Sequence, residues 1–391
     1  MKKFGLIPWL VLGIVSGILV GLYFPGWVGN ILFTFTQIFG QFLSYIVPLI
    51  ILGFIIPGIA DLGAKAGKLL GATAGIAYIS TLVSGILAFF ISRLILPAIV
   101  SQGALVEEEA LGLTPYISLD IPPMMGVMTA LVTAFIFGLG INFLRHEKAQ
   151  TILFQAIQEF RQVIVLIISK VIIPLLPLYI AGIFADMAAT GEAFATLRVF
   201  SQVFVLIIAM HLGYIMLHFT IAGVRKGINP LRAVRTMGAA YATALGTMSS
   251  AATIPVTLQC TKNNGVSREI ADFTVPLCAT IHLAGSTITL VACSVAVLIM
   301  NGGNPAFLEF LPFIILLGIT MVAAPGVPGG AVMAALGLLT TILGFSPAQQ
   351  GLMIALYMAQ DGFGTACNVT CDGAISLVID SFAGTKETKN S

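Results

Sequence analysis

Residues Gly246–Thr257 read GTMSSAATIPVT, and the chain on both sides of them is basic. Arg225, Lys226, Arg232 and Arg235 come before it, Lys262 and Arg268 after it. Lysine and arginine collect on the cytoplasmic side of membrane segments, so a segment with basic residues at both ends enters and leaves on one face. Its centre holds Gly246, Ser249, Ser250 and Pro255, a composition that interrupts a helix. Residues 231–260 therefore read as a helical hairpin that dips into a bilayer without crossing it. Irregular backbone at that depth is tolerated only where protein or a polar cavity surrounds it, so the hairpin tip marks a site.

A second interruption, AAPGVPGGA at Ala323–Ala331, gives 304–346 the same character. Two hairpins in one half of the chain place a site between their tips. Interrupted segments in corresponding halves are the mark of secondary transporters built from inverted repeats. Residues 231–300 would be answered by 304–382 in inverted orientation, a symmetry that residue identity does not display.

The bilayer itself follows from composition. Of 391 residues, 58% are hydrophobic and only 9% charged, which excludes a soluble globular domain. Apolar runs at 7–24, 31–60, 67–100, 121–144, 151–188 and 199–224 suit spanning helices of about 20 residues or more rather than the short alternating strands of a barrel. Alternating them puts Lys2, Lys3, Lys65, Lys68, Arg145, Lys148, Lys386 and Lys389 inside and Glu107, Glu108 and Glu109 outside. The expectation is a multi-pass protein of the cell inner (plasma) membrane with both termini cytoplasmic and a retained first helix. A net charge of +2, without a basic soluble domain, argues for no nucleic acid partner. The five cysteines read as small packing residues.

The acids of the last apolar run need a reason to be there. In AQDGFGTACNVTCDGAIS (Ala359–Ser376), helical geometry over 355–380 brings Asp361, Thr365, Asn368 and Asp372 onto one stripe, within about 60° of each other. A charged aspartate at mid-bilayer costs about 2.5–3.5 kcal/mol on the lenient insertion scale. A cationic group should face the stripe: sodium, a proton or a substrate ammonium. Carboxylate, amide and free carbonyl oxygens suit a hard cation such as sodium.

GTMSSAATIPVT, FTVPLCATIHLAGST (Phe273–Thr287), AAPGVPGGA and DGFGTACNVTCDG (Asp361–Gly373) together resemble the dicarboxylate/amino acid:cation symporter family, of glutamate transporter type. The likeness is specific over 231–382. It implies an all-α membrane protein of eight transmembrane helices and two re-entrant hairpins, assembled as a homotrimer. It further implies one membrane domain over 1–382, with a scaffold at about 1–66 and 121–192, a transport part at about 67–100 and 199–382 that slides as an elevator, and a cytoplasmic tail at 383–391.

Matching positions carry the family's roles. Asn368 and Asp372 match sodium-binding residues, Asp361 the aspartate that holds the substrate's amino group, and Thr365 a substrate-facing position. Ser249 and Ser250 match the serines at the substrate carboxylate, Ala324, Gly326 and Val327 the tip of the gate, and Thr280 with Leu283 the surroundings of a second sodium. Acid-transporting members carry an arginine where this chain has Gly364, and others draw one from the position of Met248. Without a guanidinium, a second substrate carboxylate would be desolvated unpaired. Gly364 leaves room beside Asp361, and Thr365, Ser286 and Thr287 offer hydroxyls, so the expected substrate is a small neutral amino acid such as serine, threonine or alanine.

Coupling departs from the family pattern. HLAGST stands where the family has NMDGT, so His282 replaces an ion-binding asparagine and Ala284 an aspartate; Thr81 is retained, but Leu82 replaces a serine. Fewer sodium ions per cycle are expected. His282, if it joins the ion site, opens the alternative of a proton-coupled carrier. His211 and His218 read as packing residues. Two other classes compete. An intramembrane serine protease using Ser249 or Ser250 with His282 lacks a G-x-S-x-G elbow and leaves the acids unexplained. An ion or small-solute channel explains the acidic stripe better, and is told from a symporter by gradient-independent flux in place of saturable, sodium-dependent uptake against a gradient.

Overall fold

The computed structural model describes residues 6–62, 68–100, 112–147, 152–191, 193–324, 326 and 328–384. Val327, Lys2, Lys3, Lys65, Glu107, Glu108, Glu109, Lys148, Lys386 and Lys389 lie outside them.

All regular structure among the described residues is helical. The first half contains α1 (Leu6–Tyr23), α2 (Gly26–Leu62), α3 (Lys68–Ile99), α4 (Val127–Glu147), α5 (Ile152–Ile167) and α6 (Ile173–Ala189). A π-turn at Ile168–Ile172 joins α5 to α6, ending two residues before Pro174, which has no N–H to continue the ladder. Next comes α7 (Ala193–Lys226), followed by three shorter helices, α8 (Pro230–Thr236), α9 (Gly238–Thr247) and α10 (Ser250–Asn263). Then follow α11 (Arg268–Ile281), α12 (Ala284–Met300), α13 (Phe307–Ala323), α14 (Gly330–Leu343) and the long α15 (Pro347–Gly384).

Among the described residues, six segments are long and apolar enough to cross a membrane: Gly26–Ala60, Leu69–Ile99, Ile152–Ala189, Thr196–Lys226, Arg268–Met300 and Pro347–Phe382. They differ in what surrounds them. Leu94, Phe90, Val205 and Leu212 on α3 and α7 are exposed, as expected for faces turned to lipid, whereas α12 and most of α15 are buried on all sides. The polar stripe of α15 is therefore enclosed by protein.

Two sets of helices pack among themselves: α1, α2, α4, α5 and α6 in one, and α3, α7 and α9 to α15 in the other. In the first set, Gly13, Gly17 and Gly21 form a ridge on α1 so close to α6 that a Cβ would strike the carbonyl oxygens of Pro177, Ala181 and Ala185. Small residues four apart permit this backbone approach between helices in lipid.

The second set contains the interrupted elements. Asn229 caps α8, accepting from the N–H groups of Leu231 (2.9 Å) and Arg232 (3.2 Å). The chain then runs out through α9 and back through α10, and Asn264 at the end of α10 donates to the Ala233 carbonyl in α8 (3.0 Å). At the same end Lys226 pairs with Asp380, whose other oxygen accepts from the Ser267 hydroxyl at 2.6 Å. The basic residues that flank the hairpin in sequence thus share one end of the fold.

Candidate functional site

The centre is assembled where three helices stop. Between α9 and α10, Met248 takes a left-handed conformation (φ 50°) and extended Ser249 begins the next helix. Between α13 and α14, the chain leaves helix at Ala324 and re-enters it at Gly329 (φ 72°). The segment Arg268–Met300 also breaks: His282 and Leu283 are non-helical, and α12 starts afresh at Ala284. Each break frees backbone groups that cannot be left unpaired in a dry interior.

Continuous α15 crosses these breaks and supplies partners to two of them, that between α13 and α14 and that between α11 and α12. Asp361, Thr365, Asn368 and Asp372 are all buried, and none is more than 5% exposed. Asp361 Oδ2 accepts from the Gly329 N–H at 2.7 Å, and the side chains of Tyr357 and Thr365 lie close enough to its carboxylate to act on it electrostatically. Asn368 Oδ1 accepts from the N–H groups of Gly285 (2.7 Å) and Ser286 (3.4 Å) at the start of α12, and its amide donates to the Ser286 hydroxyl (3.1 Å). The freed N-terminus of α12 is thereby capped by a side chain of another helix.

Asp372 has a different partner. Its Oδ1 accepts from His282 Nδ1 at 2.8 Å, while Oδ2 is buried with no hydrogen-bond partner among the described residues. His282 Nε2 meets the Ser80 hydroxyl at 2.8 Å, and Ser80 also contacts His218 Nε2 (3.0 Å) and the Tyr214 hydroxyl (3.1 Å). Both ring nitrogens of His282 are therefore engaged, so the imidazole orients Asp372 and presents no free nitrogen to a cation. His211 is buried too, with Nε2 2.9 Å from the Gly285 carbonyl, which braces the turn that binds Asn368.

The tips meet as well. The Ser249 hydroxyl donates to the Gly326 carbonyl (2.6 Å) and accepts from the Ala252 N–H (3.3 Å). Ser250 is buried at the first position of α10. Thr280 is exposed, and its hydroxyl is spent on the Leu277 carbonyl (2.7 Å); with Ala324 and Gly326 it lines a cavity outside the buried cluster. A Cβ at Gly364 would sit 3.5 Å from the backbone of Gly285 and Ser286, an ordinary contact distance, so the start of α12 bounds the space beside this glycine without filling the place of a Cβ.

Sequence reasoning missed Gly329, Tyr357, Ser80 and Tyr214. Tyr357 carried a usable signal, since it lies one turn before Asp361. Ser80 and Tyr214 sit on distant helices and carried none.

Residues 6–382 match the model of the sodium:dicarboxylate symporter family. A serine/threonine transporter SstT of Acinetobacter baumannii (strain AYE) is 26% identical, covering 97% of both chains. Neutral amino acid transporter B(0) of Bos taurus is 27% identical over 68% of this chain, and its human counterpart 25% identical over 68%. The match spans about half, 49%, of each of those two mammalian relatives.

Proposed function

Because this chain belongs to the sodium:dicarboxylate symporter family, we propose that it is a secondary active symporter that imports a small neutral amino acid with sodium by an elevator movement. The observation that carries the reading is the environment of Asp361. This carboxylate is buried, its hydrogen-bond donor is the neutral Gly329 N–H, and no cationic side chain among the described residues pairs with it. A buried acid so placed lacks a cation, and a substrate ammonium supplies one. No arginine stands at 248 or 364 to receive a side-chain carboxylate. The names of the relatives, a serine/threonine transporter and a neutral amino acid transporter, point the same way.

In this reading the ammonium takes Asp361 Oδ2 from the Gly329 N–H, which ties substrate arrival to the α13–α14 connection. Ser249, Ser250 and Ser286 serve the substrate carboxylate, Thr365 and Asn368 line its chamber, and Ala324, Gly326 and Val327 form the gate. Sodium draws on Asn368 and the unpartnered oxygen of Asp372, with Thr280 beside a second ion. The short apolar helices α1 and α4 complete eight spans, and α8–α10 with α13–α14 form the re-entrant hairpins. The first helix set, 1–66 and 121–192, is the scaffold of a homotrimer; the second, 67–100 and 199–382, is the moving part. The protein sits in the plasma membrane with both termini and the tail 383–391 in the cytoplasm.

Uptake of radiolabelled serine, threonine, alanine and aspartate into proteoliposomes, with sodium and proton gradients imposed separately, tests this. Sodium-driven uptake of the neutral substrates with aspartate excluded is expected. One observation favours a second reading, proton coupling: His282 bridges Asp372 and Ser80. Uptake driven by a proton gradient alone would select it.

A further inference from the structure

A cavity of about 360 Å3 lies between α2 and α5 on one side and the breaks of the second helix set on the other. Phe54, Thr280, Ala324, Gly326 and Ala251 line it, so it adjoins the Ser249–Gly326 contact that closes the buried cluster. Its size is at the lower end for small-molecule sites. The charged group on its wall, alone among the described lining residues, is Arg161 of α5.

Arg161 is out of place on ordinary grounds. It is half-buried inside the apolar segment Ile152–Ala189, where an ionisable side chain is expensive and is kept for a partner. No carboxylate among the described residues pairs with it. Its guanidinium rests instead near the Phe54 ring, 5.9 Å from the centroid, a stacking contact that leaves the hydrogen-bonding edge free.

A neutral amino acid still carries a carboxylate, and the buried cluster offers that group no cation. We propose that the cavity is a vestibular docking station for the carboxylate of the transported amino acid, with Arg161 as its anchor; this rests on the amino acid transport reading above. A guanidinium holds a carboxylate through paired hydrogen bonds, and one positive charge in a low-dielectric cleft concentrates anionic groups at its mouth. Leu70, near the start of α3, also lines the cavity, so it opens towards the basic end of the fold.

The test uses the full chain in nanodiscs and saturation-transfer NMR with L-serine. In Asp361→Asn protein, whose inner site has lost its ammonium partner, transfer to serine should persist and be competed by acetate but not by methylamine. Adding Arg161→Gln should reduce it to the level of empty nanodiscs. No transfer in Asp361→Asn protein, or transfer that Arg161→Gln leaves intact, overturns the proposal. A second arm does not depend on that variant's folding. In Arg161→Gln alone, the KM for serine presented at the basic face should rise about tenfold, the scale of one charge-assisted hydrogen bond, with the opposite face unchanged. Equal KM values for variant and wild type on both faces overturn the proposal. If wild-type protein transports no neutral amino acid yet shows Arg161-dependent transfer, the transport reading fails and the cavity is a carboxylate-binding site that feeds no transport, which overturns the docking role.

Discussion

Asp361 and Asp372 lie on the same face of α15, yet their partners give them different work. Asp361 is held by a backbone N–H from the α13–α14 connection, a bond that a stronger donor can replace. Asp361→Ala is therefore expected to abolish sodium-driven serine uptake, leaving only contact at the Arg161 cavity, while sodium still stabilises the protein against heat; uptake at the wild-type level would remove its assignment. Asp372 is held by an imidazole that is itself held by Ser80. His282→Asn should let the carboxylate shift, raising the sodium concentration for half-maximal uptake several-fold while leaving the serine KM at saturating sodium unchanged. A change in serine KM alone would assign His282 to substrate instead. These residue types were readable from the helical stripe of 361–372. The donors that meet them were not, because Gly329 and Ser80 approach from segments 32 and 202 residues away from Asp361 and His282, respectively.

At the scale of elements, the break between α11 and α12 is the feature that sequence least reveals. His282 and Leu283 carry no glycine or proline, and local propensity would continue the helix through them. The break is maintained from outside: Asn368 takes the freed N–H groups, Asp372 takes His282, and the Ser84 hydroxyl donates to the Ala284 carbonyl at 3.0 Å. α15 presses so closely there that a Cβ on Gly285 would run into the Gly364 carbonyl. Gly285→Ala should consequently destabilise by about 1–3 kcal/mol, as overpacking does. Gly364→Ala, which meets only ordinary contact distance, should be close to neutral. Thermal melts of the two variants compare them directly, and equal midpoints would contradict the packing described. The break of the second hairpin, in contrast, was announced by Pro325 and Pro328 with their neighbouring glycines, and that of the first by Gly246 and the serines at 249 and 250. Pro255, expected to interrupt the helix, lies inside α10 because the chain has already turned at Met248.

For the whole molecule, the two helix sets meet along α2, which touches both α13 and α14. A Cβ at Gly58 would lie 2.9 Å from the Ala323 Cβ, within a small adjustment of the spacing a disulfide needs, about 3.5–4.5 Å. If transport requires one set to slide past the other, Gly58→Cys with Ala323→Cys should lose uptake on oxidation and regain it on reduction. The native cysteines are all buried, which favours the engineered pair; full uptake with the cross-link in place would exclude sliding at this contact. Sequence by itself determined that this is a helical membrane protein with two interrupted segments and one acidic stripe, because hydrophobic length, basic flanks and helix-breaking residues act locally and can be read in order along the chain. Only the tertiary structure decided that the stripe is enclosed, that a third helix is broken, and that Asp372 faces a histidine while Asp361 faces a backbone N–H. Those outcomes depend on which distant groups must be hydrogen-bonded once water is excluded, and that requirement exists only when the helices have met.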